Sequence, residues 1–492
     1  MVSTRENGEA SIPASPETNI SVDVLVVGLG IAGVCSALEA SRAGANVLVV
    51  ERASAGGGAS SQSEGIFYLG GGTSLQTDLG ISDTPDNMFA FLRASTTAPE
   101  EHLREFCNGA VEHFEWLERE GVPFQRQQAV SKAVASRSGD GLLATGNESV
   151  WPFSKAATPV PRGHQARALG RHRGGLSAMS ALLAQLEAEE VPIKFEISVT
   201  ELIRDGSRVI GAHLLDHDGT SVEVRARLGV VLATGSFNFN RDLTHKHFPA
   251  IAGKAQPLGI DNNNGAGLQL ACDVGADLEA MSGVIATGSI YPPEGLIFGI
   301  IVNANGERFV GEDSYHGRVA HHLAQQPEQK AWLLVDEEHF AYPACKHPLI
   351  DIFESVERLE RELGLPIGSV SSTINRYNAE AREGLDSQFH KNSKWVAPID
   401  FPVAVFDISM NVDRYHFIAL GGLRTDINGR VLDHSDHPIA GLYAAGAVTA
   451  HLTREGSEYA SGLSLGPGSF FARRAGKHVT RHIRDLDTEV EP

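Results

Sequence analysis

The chain has 492 residues, of which 42% are hydrophobic and 21% charged, a composition typical of a globular protein rather than a disordered one. Its formal net charge of −20 argues against nonspecific binding to nucleic acid or to anionic lipid, because both present negative surfaces. No run of apolar residues reaches the length of about 18 that a membrane-spanning helix requires.

The length, the N-terminus and the cysteines set the first expectations. A chain of 492 residues exceeds what one hydrophobic core usually covers, so we expect two domains. Residues 1–20 are polar and contain two prolines, and we expect a disordered arm rather than a targeting sequence. The four cysteines lie far apart and form neither a disulfide framework nor a CxxC motif, which suits a reducing, cytoplasmic setting.

The first predicted element is a βαβ unit. Val22–Val27 is a β-branched run typical of a buried parallel strand, and Asn46–Glu51 is a second one. Between them lie the motif Gly28–Gly33, with the sequence GLGIAG, and a helix-like stretch, Val34–Ala43, which Gly44 can end. This order of strand, glycine motif, helix and strand predicts a dinucleotide-binding unit.

The residues of this unit have separate physical roles. Gly28 permits a tight turn, Gly30 lets a pyrophosphate approach the backbone, and Gly33 lets the helix pack on the strand. The helix N-terminus supplies free N–H groups and a partial positive charge for the phosphates. Glu51 ends the second strand, and its carboxylate can accept hydrogen bonds from ribose hydroxyls. We therefore expect a bound dinucleotide.

Later elements favour FAD over NAD. A Gly/Ser-rich loop, Gly56–Ser63, follows the second strand, and a further strand ends in the sequence ATG at Ala233–Gly235. Short mixed elements rich in proline dominate residues 283–410, and strand–glycine–helix punctuation returns at Gly441–Gly446. The chain contains no second GxGxxG motif, so we expect no built-in NAD(P)H site.

These segments resemble the flavoprotein subunit family of fumarate reductase and succinate dehydrogenase over nearly the whole chain. The similarity includes the GLGIAG motif with Glu51, the strand that ends at Ala233–Gly235, the stretch Asn305–Val310 and the segment Gly441–Gly446. The resemblance implies the cofactor FAD. It implies FAD contacts at Gly28, Gly30, Ile31, Ala32, Gly33, Glu51, Arg52, Ser60, Ser61, Ala233, Thr234, Gly235, Gly446, Ser464 and Leu465.

The same resemblance implies the fold and the mode of FAD binding. The expected fold class is α/β, with a Rossmann-like FAD-binding domain made of residues 21–282 and 411–492. An α+β substrate or capping domain, 283–410, is inserted between these parts. Family members that bind FAD covalently do so through a histidine in the Gly/Ser loop. Because Ala59–Ser63 contains no histidine, we expect noncovalent FAD.

The expected substrate pocket departs from that of the fumarate reductases. After the RFxxE turn, those enzymes place a catalytic arginine that binds and protonates a dicarboxylate. Here His316 fills that slot, with Tyr315 immediately before it. The family's carboxylate-binding signature near the Gly-Gly turn is also altered, around His416. A small dianion would therefore be held poorly.

The C-terminal segment Glu458–Ser469 looks like the active-site turn of the 3-ketosteroid dehydrogenases instead. Its Tyr459-x-Ser461 pair is most similar to the Δ4-dehydrogenase branch, and Tyr315 matches a tyrosine that this branch places in its pocket. The resemblance implies an oxidoreductase of steroid degradation and lipid metabolism. Such an enzyme removes a proton from C4 and a hydride from C5 of a saturated 3-ketosteroid, and an external electron acceptor then reoxidises the flavin.

Three hydroxyl groups receive hypothetical roles in this chemistry. Tyr459 is the base, Ser461 stabilises the Tyr459 phenolate by hydrogen bonding and relays the proton, and Tyr315 orients the steroid. A helix that begins near Pro467 would direct its positive end at the flavin.

Other readings of the sequence stay open. The chain could be a 3-ketosteroid Δ1-dehydrogenase, an ene-reductase of the fumarate-reductase type, or a noncatalytic partner protein that carries a flavin. Histidine pairs occur at 245 and 247 and at 321 and 322, but no third ligand follows at convincing spacing. We therefore expect no metal site. The steroid side chain and the oligomeric state are not encoded in any recognisable pattern.

Overall fold

The computed structural model describes residues 18–129, 132, 141–168 and 173–481. Most of the predicted arm, residues 1–17, lies outside the described residues. Thr18–Ile20 already belong to the first strand, Thr18–Val27, so the prediction of a disordered arm is wrong for these three residues. They pair in parallel with Val222–Val224, a partner so distant in sequence that no local pattern reveals it.

Among the described residues, the largest sheet has eight strands and mixes parallel with antiparallel pairs. In chain order, its strands are Thr18–Val27, Val47–Val50, Ile193–Lys194, Ile197–Asp205, Arg208–Asp216, Ser221–Leu232, Arg430–Leu432 and Pro438–Ala444. The first strand pairs in parallel with the second strand and with Ser221–Leu232. Pro438–Ala444 joins the other side of Ser221–Leu232 in parallel, so the sheet uses both ends of the chain.

The first strand separates two hydrophobic cores. Val24 and Val26 belong to one core, whereas Leu25 and Val27 belong to the other. Successive side chains of a strand point to opposite faces, so a strand that is buried on both sides needs apolar residues at every position. This burial explains why Val24–Val27 is continuously apolar rather than alternating.

The predicted βαβ unit is present. Its helix spans Ile31–Arg42 and its second strand spans Val47–Val50. Gly28 has a φ angle of +104°, in a region that residues with side chains rarely adopt. A Cβ atom on Gly33 would lie 1.9 Å from the carbonyl oxygen of Gly28, so the helix can pack on the strand only with glycine there.

The described residues form thirteen α-helices. They are Ile31–Arg42, Gly58–Gln62, Ser74–Asp78, Pro85–Ser95, Glu100–Arg119, Phe153–Ala156, Gly174–Ala188, Arg241–His247, Ala266–Cys272, His316–Leu323, Val356–Leu363, Ser369–Ala381 and Leu465–Val479. The last helix packs on the first, where the Ser36 hydroxyl donates to the carbonyl oxygen of Ala472 at 3.0 Å. Within the described part of the chain, every helix is too short or too polar to cross a lipid bilayer.

Smaller sheets complete the fold. An antiparallel four-stranded sheet is formed by Ile300–Asn303, Ala331–Asp336, Leu349–Phe353 and Val403–Asp407. The remaining sheets are Gln256–Pro257 with Val284–Thr287 and His416–Ala419; Leu278–Glu279 with Gly422–Leu423; and Ile66–Tyr68 with Leu142–Leu143 and Gly163–Gln165. The four-stranded sheet lies within residues 283–410, which we propose as the inserted domain. The predicted α/β fold class is confirmed.

Candidate active site

A cavity of about 870 Å³ lies at the carboxyl ends of two parallel strands, Thr18–Val27 and Ser221–Leu232. Open α/β sheets bind their ligands at these ends of the strands. We call the part around Gly28, Gly30 and Glu51 the dinucleotide end of the cavity. The part around four hydroxyl groups, those of Tyr315, Tyr459, Ser461 and Ser464, is the hydroxyl end.

Most of the residues predicted from the sequence meet in this cavity. Those that line it are Gly28, Gly30, Ile31, Ala32, Glu51, Arg52, Ser60, Ala233, Thr234, Gly235, Tyr315, Gly446, Tyr459, Ser461, Ser464 and Leu465. Gly33 and Ser61 do not line it. Gly33 packs against Gly28, and the Ser61 hydroxyl donates to the carbonyl oxygen of Gly58 at 2.9 Å. Both residues therefore stabilise the backbone beside the cavity and do not face into it.

The dinucleotide end contains an open helix N-terminus. The helix Ile31–Arg42 follows Gly30, which has no side chain to cap it. The hydroxyl oxygen of Ser60 accepts the N–H of Ile31 at 3.3 Å. A Cβ on Gly30 would meet only Ser60 Oγ, at 3.7 Å, so the backbone here is open to a ligand. Such a terminus binds phosphate through its N–H groups and its dipole.

The carboxylate of Glu51 is fixed at the edge of the cavity. Its Oε2 accepts the N–H of Leu29 at 2.7 Å, and its Oε1 accepts the N–H of Ala53 at 2.8 Å. The side chain is buried, and the two bonds leave further lone pairs on both oxygens. Glu51 can therefore hold the glycine turn and accept ribose hydroxyls at the same time.

These features fit a bound dinucleotide. An open helix N-terminus suits a pyrophosphate, and an anchored carboxylate suits a ribose. Thr234 lines the same end, and its buried Oγ1 has no hydrogen-bond partner among the described residues. The residues that would hold the cofactor are thus in place on the strands and the first helix.

The hydroxyl end contains two hydrogen-bonded pairs. The hydroxyls of Tyr315 and Ser461 lie 2.8 Å apart, and those of Tyr459 and Ser464 also lie 2.8 Å apart. The two tyrosine rings are neighbours, with centroids 6.3 Å apart. The predicted hydrogen bond from Ser461 to Tyr459 is therefore wrong in this structure. Gly462, at φ +98°, lies in the turn between Ser461 and Ser464.

Burial controls the protonation of both tyrosines. It raises the pKa of Tyr459, which the hydrogen bond from Ser464 partly opposes. Burial also raises the pKa of Tyr315 well above its ordinary value, and a charge on Tyr459 would raise it further. Both side chains are neutral phenols at pH 7 in the free cavity. A phenolate on Tyr459 would therefore make a phenolate on Tyr315 still less favourable.

The histidines beside this end are neutral as well. Burial, with a smaller contribution from Lys132, lowers the pKa of His316 to about 3, and its ring lies 3.8 Å from that of Tyr315 between centroids. Burial lowers the pKa of His451 to about 4. The arginines among the described lining residues are Arg52, next to Glu51, and Arg173, which donates to the carbonyl oxygen of Gln62. His316, which was assigned from the sequence to the position of the catalytic arginine, lines the cavity.

Sequence reasoning did not predict the hydrogen bonds that three residues make at the hydroxyl end. Ser464 was predicted to contact FAD, and its bond to the Tyr459 hydroxyl was not foreseen. Thr145 and Asn147 bond to the backbones of Ser461 and Tyr315, respectively. They lie in an irregular stretch, 131–175, where no periodicity marks a residue as buried or as near the site. Only the tertiary structure brings them beside Ser461 and Tyr315, which line the cavity.

The fold and this cavity define a flavoprotein oxidoreductase. The chain belongs to the FAD binding domain family, which it matches over residues 23–461. The resemblance to flavoproteins inferred from the sequence is confirmed, and the cofactor is FAD. FAD, when bound, accepts a hydride at its isoalloxazine ring.

Three relatives are similar over most of their lengths. The crystal structure of 3-ketosteroid-Δ4-(5α)-dehydrogenase from Rhodococcus jostii, in complex with 4-androstene-3,17-dione, is 39% identical, with a TM-score of 0.89. That match covers 94% of this chain and 98% of the other. The 3-oxo-5-alpha-steroid 4-dehydrogenase of Comamonas testosteroni is 26% identical over 86% of this chain and 92% of its own length. The 3-oxosteroid 1-dehydrogenase of Mycolicibacterium smegmatis is 27% identical over 92% and 96%.

Acid precipitation of the purified yellow protein should release all of the flavin into the supernatant. The reason is that the helix Gly58–Gln62, which lines the dinucleotide end, carries no histidine that could form a covalent bond. The measurement is flavin fluorescence in the supernatant and in the washed pellet. Fluorescence that stays with the pellet would contradict noncovalent binding and would direct attention to the histidines that line the cavity, His316, His416 and His451.

Proposed function

We propose that this protein is an FAD-dependent 3-ketosteroid Δ4-dehydrogenase, which desaturates the C4–C5 bond of a saturated 3-ketosteroid. The observation that carries the proposal is the hydroxyl end, in which two tyrosine–serine pairs adjoin the FAD site. A 3-keto group makes the neighbouring C4–H acidic, so a base near the flavin can remove that proton while C5 loses a hydride. The relative from Rhodococcus jostii supports the same reaction.

The chain's own residues have distinct roles in this reaction. Tyr459 accepts the C4 proton, and Ser464, which is bonded to it, replaces Ser461 as the group that relays the proton. The helix Leu465–Val479 begins directly after Ser464, so its positive end stabilises negative charge on the Tyr459 oxygen. The Tyr315–Ser461 pair donates a hydrogen bond to the ketone and holds the enolate that forms as C4 loses its proton.

The cavity also disfavours the small dianions that fumarate-type reductases use. A dicarboxylate needs cationic partners, since an unpaired charge is costly to bury. His316 and His451 are neutral near the hydroxyl end, because burial lowers the pKa of each. A neutral steroid ketone needs only hydrogen-bond donors and apolar contact, which this end supplies.

Anaerobic mixing of the purified protein with 5α-androstane-3,17-dione should bleach the visible absorption of the flavin and yield 4-androstene-3,17-dione. The substrate, 5α-androstane-3,17-dione, is the C4–C5 saturated form of the ligand bound in the Rhodococcus jostii enzyme. A 1-ene product would instead support Δ1-dehydrogenation. Reduced protein should not be reoxidised by fumarate. Reoxidation by fumarate, with no bleaching by either the 5α or the 5β steroid, would overturn the proposal in favour of an ene-reductase.

A further inference from the structure

One segment of the chain contacts both partners of the Tyr315–Ser461 pair. The N–H of Tyr315 donates to Oδ1 of Asn147 at 2.8 Å. The N–H of Ser461 donates to the carbonyl oxygen of Thr145 at 3.1 Å, and the Thr145 hydroxyl donates to the carbonyl oxygen of Ser461, also at 3.1 Å. Tyr315 and Ser461 are 146 residues apart in sequence, yet residues 145–147 bind the backbones of both.

This segment is held firmly against the C-terminal turn. A Cβ on Gly146 would lie 2.7 Å from the Cβ of Ala460, so the two backbones are in close contact. Thr145 and Asn147 are 2% and 1% exposed. The next residue, Glu148, accepts a hydrogen bond of 2.7 Å from the buried Tyr68 hydroxyl. The segment therefore cannot shift without moving Ala460 and its neighbours Tyr459 and Ser461.

We propose that Asn147 and Thr145 are positioning residues that set the distance between the Tyr315 and Ser461 hydroxyls. The inference rests on the proposed function, in which this pair binds the 3-keto group. Tyr315 precedes the helix His316–Leu323, which packs against the C-terminal turn that contains Ser461, and the segment 145–147 is bonded to both elements. A misplacement of about 1 Å in a catalytic group can lower a rate about 100-fold, which makes this alignment consequential.

The test is a double-mutant cycle with 5α-androstane-3,17-dione as the substrate. Asn147→Ala should lower the rate constant for anaerobic flavin reduction about 10- to 100-fold, while the flavin spectrum stays that of the wild type. In a Tyr315→Phe background, Asn147→Ala should have little further effect, because the hydroxyl through which it acts is absent. The same four proteins are also compared by their dissociation constants for 4-androstene-3,17-dione, because a binding measurement requires no turnover.

A matched control is Asn378→Ala. Asn378 also accepts a backbone N–H through Oδ1 at 2.8 Å, from Ile399, but it does not line the cavity. This variant should leave both the rate constant and the dissociation constant unchanged. If Asn147→Ala does not fold, Thr145→Val is measured instead, in the wild-type and in the Ser461→Ala backgrounds. Valine keeps the shape of threonine and removes its hydroxyl, and the effect of Thr145→Val should be lost when the Ser461 hydroxyl is absent.

The outcomes separate this inference from the proposed function. Equal effects of Asn147→Ala in the wild-type and Tyr315→Phe backgrounds would overturn the inference, because a general loss of stability acts independently of the Tyr315 hydroxyl. An unchanged rate in Tyr315→Phe would overturn it as well. If the wild type shows no bleaching by the steroid, the proposed function itself is wrong, and the inference falls with it.

Discussion

Replacement of Tyr459 by phenylalanine should lower the rate constant for flavin reduction by a saturated 3-ketosteroid about 10²- to 10⁴-fold, the usual contribution of a positioned base. The substitution removes one oxygen atom and leaves the buried ring in place. FAD content and the flavin spectrum should therefore stay close to those of the wild type. The rate is measured by anaerobic stopped-flow absorption.

A second tyrosine provides the control for this experiment. Tyr443 is also buried, and its hydroxyl bonds to Nδ1 of His478 at 3.0 Å, but it does not line the cavity. Tyr443→Phe should leave flavin reduction unchanged. Normal reduction in Tyr459→Phe would remove Tyr459 from the mechanism and leave the Tyr315–Ser461 pair as the proton acceptor.

The pH dependence of the rate provides a further readout for the same variant. A tyrosine must lose its proton to act as a base, and burial raises the pKa of Tyr459, so phenolate is a minor species at pH 7. Its fraction grows as the pH approaches the raised pKa from below. The rate constant for the wild type should therefore rise with pH through the neutral and mildly alkaline range, and Tyr459→Phe should lose this rise.

Replacement of Glu51 by alanine should raise the dissociation constant of FAD by about 10- to 100-fold, as expected when a hydrogen bond to a charged group is lost. The variant loses the acceptor for ribose hydroxyls. It also leaves the N–H groups of Leu29 and Ala53 without their partner, which loosens the glycine turn. The protein should be purified largely without flavin, and titration with FAD measures the affinity.

Two variants show whether this effect is specific to the cofactor. Glu51→Gln keeps an acceptor for the N–H of Leu29 and should lose less affinity than Glu51→Ala. Asp23 lies at the opposite end of the same βαβ unit, where its Oδ2 accepts the N–H of Asn46 at 2.9 Å. Asp23→Ala should therefore leave FAD affinity unchanged. Wild-type affinity in Glu51→Ala would show that the ribose is held elsewhere.

The dinucleotide end could be predicted because its signals are local. The strand Val22–Val27, the glycines and Glu51 follow one another closely in sequence, and each type of residue has one physical reason to be there. Gly33 shows how strong that reason is, since any side chain would collide with Gly28. The structure places these residues as predicted, except that the strand starts earlier, at Thr18, and that Gly33 packs against Gly28 and does not line the cavity.

The hydroxyl end could be predicted only in part, because its contacts join distant parts of the chain. The residues Tyr315, Tyr459 and Ser461 could be named from a resemblance, but which hydroxyls pair with each other could not. Asn147 could not be found at all. Its bond to Tyr315 spans 168 residues, and no hydrophobic period marks the irregular stretch in which it lies.

The eight-stranded sheet has a consequence for biosynthesis. Ser221–Leu232 lies between the first strand and Pro438–Ala444, and the helix Leu465–Val479 covers Ile31–Arg42. While the ribosome is still translating the middle of the messenger RNA, the glycine motif has already been synthesised. The strand Pro438–Ala444 and the helix Leu465–Val479 have not. Until residues 438–479 have been synthesised, the first helix of the nascent chain therefore keeps one face uncovered and the dinucleotide end stays incomplete.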